Sequence, residues 1–286
     1  MKHHGHAHNE RVLARGFLLV AAFALVEAAG GYLSNSLTLI ADAGHMVLDA
    51  SALALSWWAL RLSRREHKRL SYGYHRYQIL AAIFNALALL VLVGWILFEA
   101  FSRLGNPEPL LPIPALAVAV TGLVVNLYVY RLLHGSESLN VRSAALHVLG
   151  DILGSASAIA AAGIVLVFDW HYADPILAIV VAAILVRGAW RVLRESIHIL
   201  LEGVPANLDP DGIRQALVAK VADLLDVHHI HIWALTDEKF LLTLHATIDE
   251  SADEQVATHR IKKVLARDFG IDHSTIQIER GVCPDV

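Results

Sequence analysis

ILAAIFNALALLVLVGWILF, residues 79–98, runs for twenty residues without a charged side chain. A bilayer's hydrocarbon core is about 30 Å thick, and an α-helix rising about 1.5 Å per residue crosses it in roughly 20 residues. Inside lipid each backbone N–H and C=O must be satisfied within its own segment, so such a run is a transmembrane helix. The same reading extends outward to six stretches, at residues 16–34, 37–62, 77–102, 111–133, 144–168 and 174–197. None alternates with a period of two, which excludes a barrel of tilted strands. Composition agrees. The 286 residues are 56% hydrophobic and 17% charged, where soluble domains carry about 25% charged residues.

Lys/Arg bias sets the orientation. The connection after the second stretch holds Arg61, Arg64, Arg65, Lys68, Arg69 and Arg76, and the N-terminal end adds Lys2, Arg11 and Arg15. Arg131 and Arg142 flank the fourth connection, and Arg187, Arg191 and Arg194 end the sixth stretch. The alternate connections are poor in Lys/Arg, so both termini are expected in the cytoplasm. The first apolar run is long enough to span, and no cleavable signal peptide is expected. The single cysteine, Cys283, leaves no intrachain disulfide and suits a reducing compartment. A net charge of −4 offers no basic surface for nucleic acid.

After Pro205 the composition becomes that of a small soluble domain. Residues 210–225 read as a helix opened by Asp209 and Pro210. Residues 227–235 (VHHIHIWAL) and 240–248 (FLLTLHATI) alternate as strands. Residues 252–269 form an amphipathic helix and 274–279 a third strand. The order αββαβ predicts an open sheet with two helices on one face. The expected divisions are a His-rich cytoplasmic tail at 1–12, a six-helix transmembrane bundle at 13–200 and a cytoplasmic metal-binding α+β domain at 205–286.

Charge at bilayer depth is costly and usually functional. The second stretch contains Asp42-Ala-Gly-His45-Met-Val-Leu-Asp49 and the fifth His147-Val-Leu-Gly-Asp151. Residues four apart share a helical face, so each His-Asp pair faces one way. Two such faces offer two imidazoles and two carboxylates, a donor set that suits tetrahedral Zn2+. One isolated pair reads equally as a structural hydrogen bond between helices; a second copy shifts the balance to metal. Small residues beside both pairs (Ala41, Ala43, Gly44, Ala50, Gly150, Gly154) permit close helix approach. Asp42, one turn before His45, reads as a residue that orients an imidazole, or as cavity lining. Glu27 and Glu99 read as vestibule-lining or interfacial groups, Asn85 and Asn126 as helix–helix hydrogen bonds.

At these residues the chain resembles the cation diffusion facilitator family, in particular its zinc-transporting branch. The resemblance rests on Ser34-Asn-Ser-Leu-Thr-Leu-Ile-Ala-Asp-Ala-Gly-His45-Met-Val-Leu-Asp49, Tyr72-Gly-Tyr-His75-Arg76, His147-x-x-x-Asp151 and Val227-His-His-Ile-His-Ile-Trp233, and spans nearly the whole chain. It implies a homodimer, a metallochaperone-like (ferredoxin-like) cytoplasmic domain, and alternating access that exchanges metal for protons. Histidine at position 45 implies zinc selectivity. His228, His245, His273 and Glu279 match positions where the family holds metal at a cytoplasmic dimer interface; His231, His259 and Cys283 are secondary candidates. In the loop after the second stretch, with Glu66, His67 and His75, His75 is the better ligand candidate, and a structural role is an equal reading. Arg76 and Glu202 resemble a charge pair that ties membrane and cytoplasmic parts together.

Chemistry points the same way. A metal must displace protons from its ligands, so metal and proton compete for one site, and an inward proton gradient can drive metal out. The histidines are the expected proton carriers. The expected function is therefore proton-coupled Zn2+ export across a bacterial inner membrane, by a transporter and not an enzyme. Export of Cd2+, Co2+ or Ni2+ on the same scaffold is the alternative; two imidazoles argue against Mn2+. An intramembrane metalloprotease lacks the general-base glutamate of HExxH, and no signalling motif supports a metal sensor. The cluster His3, His4, His6 and His8 reads as a dispensable tail or a metal shuttle.

Overall fold

A computed structural model describes residues 3–63, 72–133, 139–236, 239–281 and 283. Side-chain surroundings are described for 18–51, 72–132, 148, 150–236, 239–281 and 283. Glu66 and His67, the side chains of the N-terminal histidines and the side chain of His147 lie outside these residues. Six long helices come first: α1 His3–Ser34, α2 Leu37–Ser63, α3 Tyr77–Gly105, α4 Pro112–Leu133, α5 Leu139–Phe168 and α6 Ala173–Leu200. The last domain follows as α7 Pro210–Lys220, β1 Leu224–Thr236, β2 Lys239–Ile248, α8 Glu254–Phe269 and β3 His273–Glu279. Among the described residues, four helices (in α3, α4, α5 and α6) are long and apolar enough to cross a membrane, and α1 adds the shorter apolar stretch Leu18–Ser34. α1 and α5 begin earlier than their apolar runs, because a helix continues past the lipid boundary wherever the sequence lacks a breaker.

The chain divides into two units, Met1–Trp57 with Phe84–Leu193, and Trp58–Ile83 with Arg194–Val286. In the first, α2 contributes to two apolar cores. Leu37 and Ala41 pack with Leu89, Val93 and Ile96 of α3 and Ala178 and Ala182 of α6. Leu39 packs with Ala115 and Ala119 of α4 and Ala158 and Ala162 of α5. Alanine dominates because small side chains let lipid-embedded helices approach closely. The outward faces keep large apolar groups exposed, among them Val91, Phe98, Ile113 and Phe168, as expected where lipid is the solvent.

The α1–α2 turn is braced by buried charge. The Asp174 carboxylate accepts from Ser36 Oγ at 2.8 Å and from the Leu37 and Thr38 backbone N–H groups at 2.6 and 3.2 Å. It thereby caps α2, serving N–H groups with no intrahelical partner. Arg103 donates to Glu99 at 2.9 Å and to the Asn35 carbonyl at 2.8 Å. Glu99, read from its position as a vestibule-lining or interfacial group, is partly exposed and pairs with Arg103.

In the second unit, β1 pairs antiparallel with β2, and β2 parallel with β3, in the order β1-β2-β3. α7 and α8 cover one face through Ile213, Leu217, Ala257, Ile261 and Leu265, packed on Val227, Ile232, Leu242, Leu244, Ala246 and Ile248. Asp209 and Asp253 cap the two helices by accepting from backbone N–H groups, and Gly270 ends α8 at φ 68°. α7 stops short of the expected 225: Val221 is already extended at φ −106°, and Asp223 turns at φ 67° into β1.

Candidate metal centres

On α2, His45 Nε2 lies 3.3 Å from Asp49 Oδ2, and each side chain is 20% exposed. The pair meets because i and i+4 share a helix face. On α5, Asp151 is fully buried. The two helices touch one turn away, where a Cβ added to Gly154 would overlap the Asp42 carboxylate. Asp42 itself is buried and lies within hydrogen-bonding reach of Ser155 on α5 and Glu27 on α1. Glu27 is fully buried, so it neither lines an open vestibule nor reaches the interface as expected. Asn126 of α4 donates to Ser155 Oγ at 3.3 Å, which is the interhelical bond expected of it.

Among the described residues, the one set of three or more potential ligands with donor atoms all within 4.8 Å is His228, His245, Glu279 and Cys283. Glu279 Oε2 approaches His228 Nε2 at 3.0 Å and Glu279 Oε1 approaches His245 Nδ1 at 2.9 Å. Cys283 Sγ lies 3.5 Å from His245 Nδ1. Neither His228 Nε2 nor Glu279 Oε2 makes a protein hydrogen bond. The two atoms stand at ion-pair distance, and the same atoms can serve a cation once His228 gives up its proton. Imidazole, carboxylate and thiolate donors suit Zn2+ or a softer metal. Burial works to raise the Glu279 carboxyl; bonds from Cys283 and Gln277, with the charges of His228 and His245, outweigh it and keep it below its ordinary value.

A β-bulge builds this face. His228 pairs with His245 and His231 with Thr243, so β1 carries one extra residue between them. His229 absorbs it at φ 49°. The core-facing positions of β1 therefore step from Val227 to Ile230 and then to Ile232, leaving both His228 and His229 away from the core. The His229 ring stacks on His245 with centroids 4.9 Å apart. Sequence reading passed over His229, since strict alternation sends neighbours to opposite faces, and held Cys283 as secondary. The double histidine was the available signal. His273 stands at the opposite end of β3 from Glu279, exposed, with its ring 6.5 Å from that of Tyr72. His231 and His259 are exposed.

Arg76 pairs with Glu202 at 2.9 Å, both partly exposed, so the expected charge pair forms; it contributes about 1 kcal/mol at most. His75 Nε2 lies 3.4 Å from Lys239 Nζ. Burial first, and the Lys239 charge second, push the His75 imidazole below its ordinary value. An adjacent cation is a poor setting for a metal ligand.

Long apolar helices carrying histidine–carboxylate pairs, followed by a small α+β domain with a clustered donor set, define a multi-pass membrane protein that handles metal ions. Residues 13–201 match the cation efflux transmembrane domain, and residues 206–281 match the cation efflux protein cytoplasmic domain. The chain belongs to the cation efflux (cation diffusion facilitator) family, whose members are transporters and not enzymes. It is 42% identical to "Zinc transporter ZitB" of Pectobacterium atrosepticum, over 99% of this chain and 90% of that one. It is also 42% identical to "Zinc transporter ZitB" of Escherichia coli, over 98% and 93%. The "Cadmium, cobalt and zinc/H(+)-K(+) antiporter" of Bacillus subtilis is 37% identical over 96% of this chain and 92% of its own.

Proposed function

We propose that this chain exports Zn2+ from the cytoplasm in exchange for protons, by alternating access, through a site made of His45, Asp49, His147 and Asp151. One observation carries the reading: the α2–α5 contact at Asp42 and Gly154. In a chain that crosses six times, α2 and α5 run in opposite directions. Counting from that contact, three residues along each helix bring His45 and Asp151 to one depth, and seven bring Asp49 and His147 to the next. The two motifs therefore stand at matching depths along their helices, as a four-ligand N2O2 set requires. Because protons and metal compete for these donors, a proton gradient can drive export. The names of the ZitB relatives support zinc as cargo. The name of the Bacillus relative supports proton coupling, and with it the second reading, a range that includes Cd2+ and Co2+.

Residues 1–12 form a cytoplasmic tail, 13–200 the transport domain and 205–286 a cytoplasmic domain through which two copies dimerise. The membrane is the inner membrane, with both termini inside. His228, His245, Glu279 and Cys283 hold a regulatory Zn2+. At about 3.3 Å per residue, His273 is some 20 Å along β3 from Glu279, so it joins such a centre only from the partner copy.

Zinc uptake into everted vesicles with an imposed pH gradient tests the reading. Wild-type uptake should follow the gradient, and Asp49→Ala should abolish it. Uptake that persists in the variant would sink the site, and uptake blind to the gradient would sink the coupling.

A further inference from the structure

α6 carries an exposed stripe that changes character along its length. Ile176, Val180 and Ile184 are exposed on one face. Arg187, Trp190 and Arg191, all exposed, continue that face, because positions three, four and seven apart share one side of a helix. Among the described residues neither arginine makes a hydrogen bond or an ion pair through its side chain, although Glu195 follows Arg191 by four positions.

Depth makes these charges unusual. Tyrosine and tryptophan collect at the two membrane interfaces, and Tyr172, just before α6, and Trp190 are both exposed. The eighteen residues from one to the other rise about 27 Å, close to the roughly 30 Å of hydrocarbon. Trp190 therefore marks one interface. Arg191 lies beside it, and Arg187 lies one turn inside.

An arginine keeps its charge in proteins, and at this depth an unpartnered one is costly. Its stem is long enough to snorkel to the interface. There the guanidinium fork donates two parallel hydrogen bonds to a phosphate, and two forks on successive turns reach one headgroup. The stripe faces away from the rest of the bundle, so the partner comes from the bilayer. A water-filled path for a metal cation is a poor place for two unpaired guanidiniums, which repel the cargo. A second copy seated on this face about a two-fold axis would set the arginines against their own equivalents.

We propose that Arg187 and Arg191, with Trp190 between them, bind the phosphodiester of an anionic phospholipid. Its acyl chains run along Ile184 and Val180, and its phosphate accepts from both guanidiniums. The site requires α6 to cross the membrane. It does not depend on which metal is carried or which ion is exchanged.

The test uses the full-length protein in nonionic detergent, unfolded by heat while lipid is added at fixed ionic strength. Phosphatidylglycerol should stabilise it saturably, and phosphatidylcholine with the same acyl chains should do so far less. Arg187→Gln combined with Arg191→Gln removes the charge-assisted contacts and should weaken the apparent affinity for phosphatidylglycerol by about tenfold or more. Without lipid, this double variant should unfold at the wild-type midpoint, since neither arginine has a protein partner. Arg131→Gln, which removes an exposed charge from the last turn of α4, should keep the lipid response. The site is overturned by an equal response to phosphatidylcholine, by inorganic phosphate reproducing the shift, by an undiminished response in the double variant, or by an equal loss in Arg131→Gln. A lipid-free midpoint that falls in the double variant also overturns it, because the arginines would then be holding protein.

Discussion

His75 shows how much a side chain's meaning depends on its neighbours. From the YGYHR stretch it is equally a ligand or a structural residue; beside Lys239 and partly desolvated, it favours the neutral imidazole. A histidine held lower in the folded than in the unfolded chain binds fewer protons when folded, so stability rises with pH. Its contribution is complete above the ordinary value near 6.5 and is lost as pH falls through the lowered one. Thermal unfolding of the full-length protein should therefore drop between about pH 7 and pH 5, and His75→Gln should flatten that drop. Parallel curves for the two proteins would assign the drop to other groups.

At the scale of elements, two local features decide where ligands stand. The β1 bulge depends on His229 at φ 49°, a conformation that glycine adopts freely and β-branched residues resist. His229→Gly should leave stability nearly unchanged, and His229→Val should cost about 1–3 kcal/mol, read as denaturation midpoints. If both variants unfold alike, ring stacking on His245 and not backbone strain is what matters there. The α2–α5 contact is the second feature. Gly154→Val places a side chain where the Asp42 carboxylate sits, and overpacking of this kind costs about 1–3 kcal/mol. Zinc transport should fall at least tenfold in this variant, whereas Gly163→Ala, on the same helix with open space around it, should transport normally.

Across the whole molecule, the lone cysteine serves as a reporter. In the proposed orientation, a membrane-impermeant maleimide should label Cys283 in everted vesicles and not in intact cells. Zinc should protect it from labelling, since its thiol stands 3.5 Å from His245 in the clustered donor set. Labelling of intact cells would reverse the orientation. Labelling unaffected by zinc would remove Cys283 from the centre.

The sequence alone determined the six spans, the order of the last domain and the two His-x-x-x-Asp pairs. Each follows from local periodicity: twenty apolar residues must be helical in lipid, and residues four apart must share a face. It also supplied His228, His245 and Glu279, though only through family resemblance. The tertiary structure decided what depends on distant residues meeting. Glu27 looked interfacial or vestibule-lining until packing buried it beside Asp42 of α2, and Glu99 is paired by Arg103 one turn on. Cys283, a secondary candidate in the sequence, joined the cluster because the chain after β3 returns to His245. His229 left strict alternation because one extra residue had to be absorbed while Val227, Ile230 and Ile232 stayed on the core. Burial and cross-strand register are set by packing between elements, and no pattern within a single element records them.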